Sequence, residues 1–547
     1  MKLFLFTTLL LLNVAEAFAG SATWNLDPVD SDWNNPANWT PNTVPNGPND
    51  VATFEASNQT DVIISASTEV NELIFSPGAS GFTINVSEGQ TFTISGTGIT
   101  NSSGISQSLV IEKTSHLDLT NSATVGELTF FTLLGGTGSF GSGGAIFFSD
   151  TSSAGNGTFV VNGAADDFGN GAAIGFSSNA TSGNGTFTVK GGGTALIFFV
   201  GTSTAGNASF VIEGGNGAGS VAFFGSDSEK PTAGNAIFNI NGGTTPGALG
   251  GFVQFSGGTA GSATFITSSG TNGGFGGYIR FLANDASEAQ IKLFGGSLSA
   301  EYAGDEATVA VGSIEGNARI SLSAVGAHQK FITGSNDLST TFSGTITDSG
   351  GAFGSTGSLE KVGTGTLTLS GTNSYIGGTT IEAGMLVVNN RTGSGTGSGP
   401  VQVNAGRLGG RGIIGGAVVV GEGAGPGAAL APGQHKGRQN TLTIQGTLTF
   451  NSDGFYVCGV NSKSAVTDKV VANGVTISGG QFVLHEPRGF ALNPGTVLTI
   501  IDNTSANPIN GRFANLPDNS TFTLGRNTYQ ANYSGGNGND LTLTVVQ

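Results

Sequence analysis

A phrase of the form Ala-Gly-Asn-small-x-Phe recurs along the middle of this 547-residue chain, and it limits the fold more than any other feature. AGNGTF begins at Ala154, SGNGTF at Ser182, AGNASF at Ala205, AGNAIF at Ala233 and AGSATF at Ala260. The phenylalanines fall at Phe159, Phe187, Phe210, Phe238 and Phe265, roughly 23 to 28 residues apart, a period that marks a solenoid. One copy cannot bury its apolar face alone. Successive copies must stack, which makes a long lateral surface the working part of the molecule.

Each copy has a second half. Short apolar segments follow the phrase after a Gly-rich bridge, ending at Phe176, Phe199, Phe224, Phe255 and Phe281. Segments of four to six residues rich in Val, Ile, Phe and Thr, bounded by Gly, Asn and Ser, read as strands. Alternation then puts Phe159 and Val161, or Phe238 and Ile240, inside the coil, with glycines and asparagines expected at corners of positive φ. At about 25 residues and about 4.8 Å per rung, the chain predicts a rod on the order of 100 Å long.

Composition supports a folded β structure. Gly makes up 94 residues without a three-residue period, which excludes collagen, and 37% apolar with only 10% charged residues is not a disordered composition. The formal charge of −17 disfavours nucleic acid and anionic membrane, both bound by clustered Lys and Arg. Lys2, the apolar run Leu3–Leu12 and the small residues of Ala17-Phe18-Ala19 read as a secretory signal peptide; neither this run nor any later one is long enough to span a bilayer. The single cysteine, Cys458, cannot form an intrachain disulfide and reads as a small core residue.

From Lys361 to Asn390 the chain reads KVGTGTLTLSGTNSYIGGTTIEAGMLVVNN. The Lys-x-Gly-x-Gly-x-Leu-x-Leu start, the Asn-x-Tyr-x-Gly-Gly-Thr centre and the Ile-x-x-Gly-x-Leu-x-Val end resemble the autotransporter-associated β-strand repeat, or passenger-associated transport repeat, of bacterial passenger proteins. The resemblance implies a right-handed parallel β-helix with a role at or outside the cell surface. By alternation the segment reads as three strands on one rung, with Leu367, Leu369, Leu386 and Val388 inward and Tyr375 before a turn at Gly377-Gly378. A further pass runs from Val401 to Gly433. No room remains after it for the alternating strands of a translocator barrel, so separate export machinery is expected.

The expected organisation is a signal peptide at 1–19, an N-terminal β cap with first strands at 20–100, an imperfect-repeat solenoid at 101–355, the family-like solenoid at 356–450 and a C-terminal β capping module at 451–547. In that last module Phe482 to Leu484, Val497 to Ile501, Phe513 to Leu516 and Tyr529 to Val546 read as strands.

Candidate sites are few. Trp24, Trp33 and Trp39 read most simply as a cover over the open solenoid end; as the sharper alternative they would be a glycan-contact platform, since indole faces stack on sugars. Gly535–Leu543, GGNGNDLTL, fits one copy of a calcium-binding nonapeptide, but one copy is half a cage, and a Gly-rich turn is the simpler reading. Asp166-Asp167 and Asp305-Glu306 are adjacent pairs that alternation or a loop would keep from acting as a dyad. His116, His328, His435 and His485 are widely separated and sit in no metal-ligand pattern. No catalytic residue, metal or cofactor is therefore assigned. The expected function is structural or adhesin-like display along a rod, with envelope components or extracellular glycans as partners; the alternatives are a polysaccharide lyase or hydrolase on a β-helix, or a glycan-binding module centred on the three tryptophans.

Overall fold

The computed structural model describes residues 20–138, 141–164, 169–226, 228–282, 285–302, 306–324, 328–348, 356–433, 439–486 and 489–547. It is a parallel β-solenoid of about 17 turns, in which the helical structure among the described residues is the single 3-10 turn Pro36–Asn38. With about 4.8 Å between neighbouring strands, the stack is about 80 Å long.

One turn of the middle region shows how the repeat builds the coil. Ala145–Phe148 lies on a first face, and Thr158–Val161 lies on a second after a corner at Ser153. The chain then returns to the first face at Ala173–Phe176, directly in register: Ile146 on Ile174, Phe148 on Phe176. The second face repeats likewise, Phe159 on Phe187 on Phe210.

The interior is two columns of phenylalanine. Phe131, Phe159, Phe187, Phe210, Phe238 and Phe265 stack at 4.6–4.9 Å, and Phe148, Phe176, Phe199, Phe223, Phe255 and Phe281 at 4.5–5.2 Å. The columns meet edge to face, as Phe176 meets Phe187 at 6.1 Å and 78°. Strand spacing and ring-stacking distance coincide, so each added turn gains main-chain hydrogen bonds and about 0.5–1.5 kcal/mol per ring pair beyond area burial.

A third face is broad near both ends and collapses in the middle to a single bridge per turn, running Thr124, Ser153, Thr181, Thr204, Thr232, Thr259 and Asp285. The Ala-Gly-Asn phrase is this corner. Its glycines hold φ of +52° to +60° at Gly155, Gly183, Gly206, Gly234 and Gly261, and the preceding hydroxyls of Thr181 and Thr204 accept the N–H of Gly183 and Gly206, each at 3.0 Å. The asparagines do not share the positive φ expected of them. They form an outer ladder instead, Asn184 Nδ2 donating to Asn156 Oδ1 at 3.2 Å, Asn207 to Asn184 at 3.3 Å and Asn235 to Asn207 at 3.1 Å. Glycine relieves the backbone, which frees the neighbouring side chain to bond between turns.

Beyond residue 306 the third face widens again through Thr356–Lys361, Thr379–Ile381 and Val401–Val403. The family-like segment does not lay three strands on one rung. Thr366–Leu369 and Met385–Val388 pair directly with each other, Leu367 on Leu386, so the third strand begins the next turn. A turn here takes only the 19 positions from 366 to 385, because the first face contributes no regular strand between Ser370 and Gly378.

At the C-terminal end the first face passes through Lys469–Ala472 and Val497–Asn503 into antiparallel strands Asp540–Val545, Asn527–Gly535 and Thr521–Leu524. Phe513–Leu516 is a turn rather than a strand, yet both residues are buried, filling the end of the core. Short apolar spacing there serves to plug the coil.

Candidate functional site

The first face carries apolar side chains on its outer as well as its inner surface. In Ala145–Phe148, Ile146 and Phe148 point in and Phe147 points out, 37% exposed. The same alternation turns Phe198 outward beside buried Ile197 and Phe199, and Phe224 outward, 43% exposed, beside buried Phe223. Phe252 and Tyr278 follow on the next two turns, their rings stacked 5.3 Å apart and 10° from parallel. Small residues separate the rings. Gly175 sits between Phe147 and Phe198 in one outward column, and a Cβ there would lie 2.6 Å from Phe198 Cζ and 3.0 Å from Phe147 Cδ1, so both rings converge over the glycine. Ala222 is the next residue of that column.

Polar groups close both ends of this strip. At one end Asp118 is the register neighbour of Phe147, and the His116 ring meets the Phe147 ring edge-on at 5.5 Å. Burial raises the Asp118 carboxyl above its ordinary range, with the His116 charge opposing, and its Oδ1 has no hydrogen-bond partner. At the other end Glu301 accepts hydrogen bonds from Tyr278 Oη at 3.1 Å, Arg280 Nε at 2.8 Å and Ser299 Oγ at 2.7 Å. Burial works against the Glu301 charge, but the bonds from Ser299 and Arg280 and the Arg280 charge hold its carboxyl below the usual range. The outward rings thus occupy three register columns of this face, Phe147 and Phe198 in the middle one, Phe252 and Tyr278 to one side and Phe224 to the other, with polar groups at both ends.

Of the described residues singled out in the sequence, His116 lies at this strip and the others lie elsewhere. Trp24, Trp33 and Trp39 are 2%, 0% and 0% exposed, packed on one another at 4.8–5.1 Å and on Phe54 and Phe92. Each indole N–H donates to a main-chain carbonyl, of Gln59, Pro45 and Trp33 respectively. They close the interior column, and the expectation of a sugar platform at these three positions is not met, because no indole face reaches solvent. Cys458 is fully buried, its Sγ 3.0 Å from Thr467 Oγ1, and burial pushes its thiol up to about 12. The Gly535–Leu543 segment is the hairpin turn between the last two strands, and Asp540 Oδ1 accepts the N–H of Asn503 at 3.0 Å. His328 bonds the hydroxyls of Thr356 and Ser358, at 2.6 and 2.9 Å. No group of three or more His, Cys, Asp or Glu among the described residues is arranged to hold a metal ion. Asp166, Asp167, Asp305, His435 and the expected signal peptide at 1–19 lie outside the described residues.

The family-like motif proves to be architectural. Lys361 is buried and donates to the carbonyls of Val362 at 2.6 Å and Gly363 at 2.9 Å. Asn373 bridges turns, accepting the N–H of Ile346 and donating to Gly395 O, and Tyr375 Oη bonds Thr379 Oγ1 at 2.7 Å. Sequence reasoning saw these residues as a signature and missed their work. It also missed the outer aromatic row, whose signal was the doublet Phe-Phe at 147–148, 198–199 and 223–224: two adjacent rings on one strand must face opposite ways.

Three comparisons with known proteins bear on the chain. Residues 359–388 match the family model of the passenger-associated-transport-repeat. No curated protein matches. Among solved structures, the Haemophilus influenzae Hap adhesin is similar at 13% sequence identity, over 90% of this chain and 64% of that one, with a TM-score of 0.28; this chain therefore spans less than two thirds of the adhesin's length.

Proposed function

We propose that this chain is an exported, non-catalytic β-solenoid acting at the cell surface or outside it as an adhesin-like structural protein. The observation that carries the reading is the cluster of outward rings on one face of a long stack, Phe147 and Phe198 in one register column, Phe252 and Tyr278 in the column to one side and Phe224 in the column to the other. The passenger-associated repeat at 359–388 supports the location. Residues 20–100 and 451–547 serve as end caps around a rod that displays side chains at one-rung intervals, so that many weak contacts add through effective concentration.

The test has two parts. Protease shaving of intact cells and fractionation of the medium should find the chain outside; retention inside the cell would end the proposal. Beads coated with the full chain should adhere to surfaces, and a triple Phe147→Ser, Phe198→Ser, Phe224→Ser variant should not. A fall in viscosity of a polysaccharide solution on adding the chain would instead favour the enzymatic alternative.

A further inference from the structure

The adhesive strip has dimensions and chemistry that select its occupant. From His116 to Tyr278 the outward column crosses six register steps, through Ala145, Ala173, Leu196, Ser220 and Phe252. At about 4.8 Å per step, and about 13 Å across the four residues that separate the Phe252 column from the Phe224 column, the strip is about 29 Å long and covers roughly 400 Å². A stable protein–protein interface needs about 800 Å² on each side, so this area is too small for a globular partner or a second copy. A second copy would also bring its own charge of −17, and the same charge keeps anionic membrane away. Nor is an extended peptide favoured. Peptide strands bind at free sheet edges and place side chains in pockets, whereas this is a sheet face on which the Phe147 and Phe198 rings close over Gly175 and leave no pocket there.

What remains is a narrow, uncharged, extended chain with flat apolar faces and hydroxyls at its rim. We infer that the Phe147–Tyr278 strip binds a neutral β-linked polysaccharide that crosses the face obliquely, its pyranose faces lying on Phe147 and Phe198 in the middle column and on Phe252 and Tyr278 in the neighbouring one, and its hydroxyls meeting the Arg280–Glu301 pair at one end. Sugar rings present axial C–H bonds on a flat face and suit aromatic platforms, while planar carboxylate and guanidinium groups match pairs of adjacent hydroxyls. The two ends are prepared differently. Glu301 is already held by three donors, which fixes it before a ligand arrives, whereas the partnerless Asp118 Oδ1 has no surface open to a ligand. Gly175 keeps the platform level, because any side chain there would drive the Phe147 and Phe198 rings apart.

The inference rests on the adhesive reading of this face, and the experiment separates the two. Native affinity electrophoresis of the full chain is run in gels containing barley β-glucan, hydroxyethylcellulose or dextran, with cellohexaose as soluble competitor. The β-linked polymers should retard the chain, dextran should not, and cellohexaose should reverse the retardation. Phe198→Ala and Phe252→Ala should each weaken retardation at least tenfold with unchanged thermal midpoints, and Gly175→Leu should do so through the platform. Binding unaltered in all three variants, or no retardation by either β-linked polymer, overturns the inference. If the variants lose bead adhesion while the native chain ignores every glycan, the strip is adhesive and its ligand is not a glycan. Concentration-dependent dimers abolished by Phe198→Ala in sedimentation velocity would assign the strip to a second copy and likewise overturn it.

Discussion

The carboxamide of Asn515 accepts the main-chain N–H of Phe482 at 2.8 Å and donates to its carbonyl, also at 2.8 Å. One side chain thus imitates the next strand at the last edge of the second face, Gln481–His485. An open edge of this kind is a template for pairing with another chain. Asn515→Leu should lower stability by about 2 kcal/mol, the cost of orphaning main-chain groups, and produce association that rises with concentration. Sedimentation velocity and urea midpoints check it; a monomeric variant of native stability would show that the clamp is dispensable.

Phe198 and Phe199 are consecutive and face opposite ways. Phe199→Ala should cost about 3–5 kcal/mol by opening a cavity between Phe176 and Phe223, whereas Phe198→Ala should change stability by less than about 1 kcal/mol. Thermal melts of the pair measure the difference, and equal losses would contradict the inside–outside assignment.

At the corner, Gly183 and Asn184 have separate tasks. Gly183→Ala forces an alanine to φ +60° with its Cβ 2.8 Å from Gly155 O, and should cost about 2 kcal/mol or more. Asn184→Ala removes two rungs of the exposed ladder and should cost about 1 kcal/mol. Hydrogen exchange should localise both effects to the neighbouring turns, since each turn contacts only its neighbours.

Burial lowers the Lys361 ammonium to about 8, with the Asp337 charge opposing. The folded chain therefore releases this proton earlier than the unfolded chain, whose lysine titrates near 10.4. Below pH 8 both states hold it and the burial cost is fully present. Between pH 8 and 10 the unfolded state binds more protons, so this group's contribution rises with pH, by on the order of 2 kcal/mol. Denaturant midpoints of wild type minus Lys361→Met across that window should show an upward slope. A flat difference would mean that the carbonyls of Val362 and Gly363 hold the charged form as well as water does.

Cys458, closed off beside Thr467 with its thiol raised to about 12, should resist an aromatic disulfide reagent in the native state and react only as fast as the C-terminal turns open. Immediate stoichiometric labelling at neutral pH would place it at the surface.

The reading from sequence succeeded where a rule is local and periodic. Phe159, Phe187 and Phe210 are in register because identical phrases recur, and identical strands stack with identical side chains superposed. It failed where the answer depends on what lies one turn away. The asparagines of the phrase looked like corner residues, but the glycine before each supplies the positive φ and the asparagine bonds its counterpart in the neighbouring copy. Leu386 looked like a third strand of the rung holding Leu367, and it lies on top of it. The tryptophans could be read as cap or platform because a sequence does not say which face of a ring is covered.

Repetition of a short phrase was enough to dictate a stack, its interior columns of phenylalanine and the absence of long helices among the described residues, because those follow from strand alternation and a repeated period. The stacking itself decided which rings remain outside, how Phe147 and Phe198 close over Gly175, and which carboxylates stand beside them. Those are distances between residues more than twenty positions apart, and only the pitch of the coil brings them together.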